Sequence, residues 1–529
     1  MIKTNIKLPF SYKSADIRDA IVASLPVSAD EIGEIRIIKR SLNLSDKTNI
    51  HYDVSVGVSF SEEREAGLLK MKKKVSQCPN MPFNVKPRRM RSRPVVIGAG
   101  PAGLFSALLF AESGCRPILI ERGHDVDERT RLVDSFRRFG ILDTECNIQF
   151  GEGGAGTYSD GKLKVGAPDK YKMKILREFV EQGAPEDILY SVGAHVGTDK
   201  LAKIVKKIRE KIISLGGEVL FSTRLTDITV RNGKLCSCTI SHCGREEMIE
   251  TDTVVLAIGH SARDGFELLK RIGARLEPRG FGIGVRIEHK REYIDKLVYG
   301  SDIPDGLGAA SYHLVTHLPG GRSVYSFCMC PGGEVVPATS EEGCVVTNGM
   351  SEYARASDNS NAAFLVSLTP EDFGSDDALA GIELQRKIER AAFSAGGGSY
   401  TAPITTMSAF MKKEKISLGD VRPSYPMATR EASPEEYLPS YVTESLSLAI
   451  PAFDAWMPGF YTPDAVITGA ETRSTSPIRV LRDERYSAYG IHGLYPVGEG
   501  AGYSGGIISS ARDALVVTES ILENAEYDK

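Results

Sequence analysis

The chain has 529 residues, too many for one compact domain; at ~100–200 residues per domain, three or four units are expected. Hydrophobic residues make up 42% and charged residues 25%, which excludes a wholly disordered chain, a coiled coil and a collagen. The net charge of −4 excludes a surface that is basic throughout, though not a local basic patch.

Glycine is in excess, with 52 of 529 residues, about 10% against a usual ~7%. Nine cysteines form no CxxC pair, so a zinc ribbon or thioredoxin motif is not expected. Two CxC pairs, Cys236/Cys238 and Cys328/Cys330, place alternate residues on one face of a strand; most cysteines read as small, reduced core residues. The N-terminus lacks a hydrophobic signal core, and no apolar run approaches ~18 residues. A cytoplasmic protein is expected.

Residues 1 to about 60 read as a small α+β unit. Ile2 to Leu8 suits a strand, Ile17, Ile21 and Leu25 share a helical face, and Ile35 to Ile38 suits a second strand. Ile50, Tyr52, Val54, Val56, Val58 and Phe60 alternate strictly, the period of a half-buried strand. Glu62 to Gln77 reads as a helix. The order resembles part of a ferredoxin-like unit. From Lys70 to Arg93 the chain carries nine basic residues and no acidic ones. Pro79, Pro82 and Pro87 make this stretch a linker, with an anion or nucleic-acid contact as the alternative to a merely solvated one.

At Pro94 the texture changes to strand, glycine turn, helix, strand. Gly98, Gly100 and Gly103 form G-x-G-x-x-G directly after Val95-Val96-Ile97, and a helix is expected from Pro101 through Ala102 to Ser113. Gly98 permits the tight turn, Gly100 lets a pyrophosphate approach the backbone, and Gly103 lets helix and strand pack closely. The helix N-terminus offers free N–H groups to phosphate. Glu121, followed by Arg122, ends the next strand and can accept hydrogen bonds from both ribose hydroxyls. Strand, turn, helix and acid together point to dinucleotide binding. Asn232-Gly233 marks a hairpin inside a hairpin-rich stretch from Glu218 to Thr253. Val254 to His260 is a buried strand containing Ala257 and ending in Gly259. Gly493 to Gly500 reads as another, and Tyr503 to Gly506 opens an apolar helix.

These motifs resemble the uncharacterised bacterial FAD-dependent, or NAD(FAD)-utilising, dehydrogenases, two-dinucleotide-binding-domain flavoproteins related to glutathione reductase. The resemblance covers nearly the whole chain. Its most specific signatures are NIQFGEGGAGTYSDGKL (147–163), VVLAIGHSARD (254–264), FGIGVRIEH (281–289), FCMCPGGEVV (327–336), VTNGMS (346–351) and the C-terminal run. It implies an α/β fold: a Rossmann-like FAD-binding domain with an inserted α+β substrate or cap domain, and the small N-terminal α+β unit with its linker over 1–88. The FAD domain is expected over 89–270 and 456–529, and the cap over 271–455. The resemblance places Gly153, Gly154, Ala155, Gly156 and Thr157 beside the FAD pyrophosphate and flavin. It places Arg224 or Leu225, by backbone, at the adenine, Gly498 and Glu499 at the ribitol, and Gly505, Gly506 and Ile507 at the flavin ring.

Unlike glutathione reductase, the chain has no second G-x-G-x-x-G. The other glycine ladder, Gly280, Gly282 and Gly284, runs into a strand pattern. No separate NAD(P)H domain is therefore expected, and NAD(P)H would act as a transient reductant on the flavin face. The helix opening near Gly506 is expected to stabilise reduced flavin. Lys162 and Arg286 are candidate anion-binding residues. For Arg286 the alternative is a structural ion pair with Glu288 or Glu334. Cys330 is a candidate redox thiol. His260 and His289 are candidate acids or bases, with structural hydrogen bonds the favoured alternative. Trp456 reads as core or interface.

The expected function is hydride or electron-pair transfer between a small organic substrate and FAD. The competing readings are a flavin-dependent RNA modifier using the basic stretch, and a non-enzymatic redox sensor. The substrate and the oligomeric state are not legible.

Overall fold

The computed structural model describes residues 1–70, 75–163, 166–301 and 303–524. Lys72–Lys74, the centre of the basic stretch, lie outside the described residues. Of the rest of that stretch, Arg93 is tied down: it pairs with Glu218 at 3.0 Å and donates to the Arg116 carbonyl at 2.9 Å.

The N-terminal unit is a four-stranded antiparallel sheet in the order Ile35–Asn43, His51–Val58, Ile2–Pro9, Val75–Gln77. With helices Ser14–Ser24 and Glu62–Leu69 the chain order is β-α-β-β-α-β, that of a ferredoxin-like unit. Ile2, Ile6 and Leu8 alternate inward from the first strand and meet Ile17, Ile21, Val54, Val56 and Leu68 in one core. The helix expected to reach Gln77 stops at Leu69. Val75–Gln77 instead closes the open edge of the first strand, with Ile2 opposite Gln77 and Thr4 opposite Val75. Pairing to that edge overrides local helical preference, and burial of the β-branched Val75 supports it.

The second unit is a five-stranded parallel sheet in the order Leu494–Pro496, Val254–Leu256, Val95–Ile97, Ile118–Ile120, Glu218–Leu220. Its three inner strands are buried on both faces, as parallel strands usually are. Val96, Leu119 and Val255 face helices Pro101–Glu112, Lys170–Glu181, Thr198–Ser214 and Ile507–Asn524. Val95, Ile97, Ile118, Ile120, Val254 and Leu256 face the opposite core. That core is shared with a three-stranded antiparallel layer, Thr223–Arg231, Lys234–His242 and Arg245–Glu250. Asn232 and Gly233, at φ 49° and 73°, make the tight hairpin there. Glu218–Leu220, grouped by sequence with the hairpins, belongs to the parallel sheet. Helix Pro101–Glu112 is buried from Ala102 to Ala111, the mark of a helix enclosed on all sides.

The third unit is a mixed seven-stranded sheet in the order Val315–His317, Ser323–Cys330, Asn359–Ser367, Gly282–Lys290, Val466–Glu471, Ala402–Thr406, Thr429–Glu431. Strand Val466–Glu471 pairs with Gly282–Lys290 near the middle of this sheet, so the unit reaches beyond residue 455. Trp456 ends helix Ser440–Trp456 and is 77% exposed; it is not a core residue. All nine cysteines are free thiols. No described helix is long and apolar enough to cross a membrane.

Glu389, on helix Ala380–Ala395, joins the second and third units. Its carboxylate takes Arg263 at 2.8 Å from helix Arg263–Arg271, and Arg473 at 2.9 and 3.0 Å. All three are buried. Despite burial, the two guanidinium groups hold its pKa far below the usual carboxylate range. A depressed folded-state value stabilises above the unfolded pKa and is lost as pH falls toward the folded one. Glu389→Ala would leave two buried cations without this partner and should cost about 3–5 kcal/mol, read as a lower urea midpoint at neutral pH.

Candidate functional site

A cavity of about 1580 Å³ opens where the three units meet. It lies at the carboxyl ends of the parallel strands, where open α/β sheets place their ligands. The strand Val95–Ile97 delivers the chain into Gly98, at φ 98°, a left-handed conformation suited to glycine. A Cβ at Gly98 would stand 2.4 Å from the Ala257 carbonyl, and one at Gly103 1.7 Å from the Gly98 carbonyl. Gly100 differs: the nearest atom to a Cβ there is Gly154 Cα, at 3.8 Å. Gly98 and Gly103 are thus glycine for packing, whereas Gly100 keeps the cavity floor clear.

Gly98, Gly100, Pro101 and Ala102 form one wall. Gly154, Ala155 and Gly156 face them, and Gly505, Gly506 and Ile507 bring in the N-terminus of the C-terminal helix. Glu121, Arg122 and Leu225 line one end; Ala257, Gly259, Glu499 and Lys162 also reach the cavity. Gly103, Gly153, Thr157 and Gly498 are not among its lining residues. They hold the frame: Gly153 N–H donates to the Ala99 carbonyl at 2.8 Å, Gly498 N–H donates to Asp513 at 2.8 Å, and Thr157 packs behind Gly153.

Glu121 is buried and accepts three backbone N–H groups: Ala99 at 2.7 Å, Gly123 at 2.9 Å and Gly151 at 2.9 Å. Of roughly four acceptor positions on a carboxylate, these leave about one. Glu121 is therefore first the clasp between the two glycine loops, with room for one more donor rather than the two ribose bonds expected. Arg122 is committed to Glu145 at 2.8 Å and Asp264 at 2.9 Å, and lies over the Phe150 ring.

Glu499 is the opposite case. Its carboxyl group faces the cavity and accepts no hydrogen bond among the described residues, and burial pushes its pKa up to about 8. Protonated near pH 7, such a group can both donate to and accept from hydroxyl groups. Lys162 donates to the Met329 carbonyl and stands 3.8 Å from Asp160.

Other sequence candidates fall away from substrate. Arg286 is fully buried, with Nε 2.7 Å from Glu471 and its terminal nitrogens on Asn361 and the Cys328 carbonyl. Four of its five N–H donors are taken inside the protein and it does not line the cavity; its ion pair is with Glu471, not Glu288 or Glu334. Burial pushes Glu471 up to about 8 even beside that guanidinium. His289 is buried with Nε2 2.9 Å from the Phe460 carbonyl and is not a cavity residue. His260 does line the cavity. Burial, with Arg473 and Arg263 nearby, lowers it to about 4, so it is a neutral imidazole near pH 7. Cys330 is completely buried; the cavity thiol is Cys328.

Two features had no sequence signal. Arg129, an ordinary arginine in an amphipathic helix, is wholly buried and holds the loop 147–154 by its carbonyls. The N-terminal unit also supplies cavity wall, through Lys3, Ile35, Ile37 and Lys39.

Comparison with known proteins adds the following. Residues 280–474 match the family described as FAD-dependent protein, C-terminal domain-like. An uncharacterized protein of Clostridium beijerinckii is 42% identical over 534 residues, spanning 99% of each chain. A digeranylgeranylglycerophospholipid reductase of Methanocella arvoryzae is 26% identical over 173 residues, 32% of this chain and 40% of that protein. Among solved structures, a flavoprotein/dehydrogenase from Cytophaga hutchinsonii is 14% identical, covering 82% of this chain and 79% of that one, at a TM-score of 0.36.

FAD is the cofactor that these findings support, and the cavity fits it. The glycine floor at Gly100 admits a diphosphate, two helix N-termini open onto the same space, and Glu499 offers an unpaired acceptor. Because Glu121 clasps protein amides, Glu121→Ala should lower the melting temperature of the FAD-free protein as well as FAD retention. Thermal unfolding of stripped protein checks this. An unchanged melting temperature would assign Glu121 to ligand alone.

Proposed function

Because the chain belongs to the family of the full-length Clostridium beijerinckii relative and depends on FAD, we propose that it is an oxidoreductase. It passes an electron pair, as hydride, between a small organic substrate and FAD held in the cavity. The observation that carries this reading is the size and lining of that cavity. At about 1580 Å³ it exceeds the ~300–1,000 Å³ usual for one drug-sized ligand, leaving space for a second molecule beside the cofactor. FAD supplies the two-electron chemistry when bound.

The residues divide the remaining work. The backbone N–H groups of Gly100, Ala102, Ala155 and Gly156 would take the pyrophosphate, and Glu121 would take one ribose hydroxyl. Leu225 meets the adenine by its backbone, and Glu499 accepts from the ribitol. The helix opening at Ile507 turns its positive end toward the flavin, favouring an anionic reduced state. Tyr312, Phe327 and Cys328 from the third unit bound the substrate side. NAD(P)H is the proposed transient reductant on that side.

The test is anaerobic mixing of the yellow protein with NADH and with NADPH, followed by a metabolite screen for reoxidation. Bleaching by a nicotinamide and recovery with a subset of metabolites is the expected result. A bound flavin that responds to no donor and no acceptor would contradict an enzymatic role.

A further inference from the structure

Cys328 and Cys330 lie on the strand Ser323–Cys330, one residue apart. The register against Asn359–Ser367 shifts between Phe327 and Cys330, and Cys328 sits at φ 41°, uncommon for a residue with a side chain. This local fold turns Met329 into a separate apolar cluster and sets the Cys330 sulfur against the Cys328 backbone. The Cys330 thiol donates to the Cys328 carbonyl at 3.3 Å. Cys330 is completely buried, whereas Cys328 opens to the cavity shared with Gly156, Glu499 and Gly506.

The surroundings favour one thiolate. The neighbouring Cys330 thiol and the Arg286 and Lys162 cations together lower the Cys328 pKa from the ordinary thiol range. The same contact and burial raise that of Cys330. Cys328 and Glu499 line the same cavity. One half-buried, cavity-lining thiolate beside one fully buried thiol is the arrangement of an attacking and a resolving cysteine.

We propose that Cys328 and Cys330 form a dithiol–disulfide couple that exchanges two electrons with FAD and, through Cys328, with a small disulfide substrate. The proposal rests on FAD occupying this cavity. On the cofactor side, the Cys328 thiolate and the Cys330 thiol lose two electrons and one proton. An S–S bond forms between them, and FAD becomes FADH⁻. On the substrate side, the Cys328 thiolate attacks one sulfur of the disulfide and expels a thiolate. Cys330, losing its proton, then displaces the second thiolate and closes the S–S bond. Run from FADH⁻, the cycle reduces one disulfide to two thiols.

The test counts electrons rather than turnover. The FAD-loaded full chain is oxidised with 2-hydroxyethyl disulfide, desalted and titrated anaerobically with dithionite. Wild type is expected to take up about two two-electron equivalents per FAD, one for the flavin and one for the disulfide. Cys328→Ser is expected to take up about one, whereas Cys330→Ser should retain 2-mercaptoethanol on Cys328 as a mixed disulfide, because no second thiol is left to displace it. Peptide masses of the oxidised wild type should show Cys328 linked to Cys330, a readout that needs no variant. Wild type that holds FAD yet takes up one equivalent, or shows both thiols free, would overturn the couple while leaving the flavin reading intact. Wild type that holds no FAD would overturn both.

Discussion

Gly100→Glu should empty the protein of FAD while leaving its fold standing. A Cβ at Gly100 meets nothing nearer than 3.8 Å, so the backbone accommodates a side chain. The glutamate would project a negative charge into the space proposed for the pyrophosphate. Two like charges about 4 Å apart repel by about 4 kcal/mol at a surface-like dielectric, roughly a thousandfold in affinity. The expected result is colourless protein whose melting temperature matches that of stripped wild type. Gly103→Ala supplies the contrast. Its Cβ would stand 1.7 Å from the Gly98 carbonyl, so that variant should lose stability before any question of cofactor arises. A yellow Gly100→Glu protein with normal flavin content would refute the placement of the diphosphate.

Arg129→Met should be the most damaging single change outside the cavity. The guanidinium is wholly buried and donates to five carbonyls: Asn147 at 2.9 Å, Ile148 at 3.0 Å, Gly151 at 3.2 Å, Glu152 at 2.6 Å and Gly154 at 3.0 Å. It also lies over the Tyr158 ring at 4.8 Å. These bonds turn the loop carbonyls inward, which leaves the loop's glycine floor facing the cavity. Methionine fills much of the same volume and donates nothing. Leaving several buried carbonyls unpaired should cost at least ~4 kcal/mol, seen as a lower urea midpoint and loss of flavin together. Arg129→Lys, which restores a charge and part of the donor set, should fall between. A methionine variant within about 1 kcal/mol of wild type and fully yellow would contradict this role.

Most of the α/β architecture was legible because its signals are local. The glycine turn, its flanking strand and helix, and the Asn232-Gly233 hairpin each depend on residues a few positions apart. Glycines 98 and 103 answer to backbone contacts that any such turn imposes. What could not be read depends on distant pairing. The strand Val75–Gln77 exists because the first strand has a free edge, and the helical pattern before it says nothing of that. Arg286 alternates along its strand like a candidate ligand, but Glu471, its partner, arrives from 185 residues away. Cys330 was the plausible thiol from its proline-glycine turn. The bulge before it, and the left-handed backbone at Cys328, reverse which sulfur faces the cavity. Arg129 carries no signal, since its five partners are carbonyls that every residue possesses.

The most direct test is an experimental structure of the protein soaked with FAD. The account predicts the diphosphate within hydrogen-bond distance of the N–H groups of Gly100, Ala102, Ala155 and Gly156, the ribitol against Glu499, and the isoalloxazine between the start of helix Ile507–Asn524 and Cys328. FAD bound elsewhere, or bound in this cavity with its diphosphate away from both glycine loops, would contradict it.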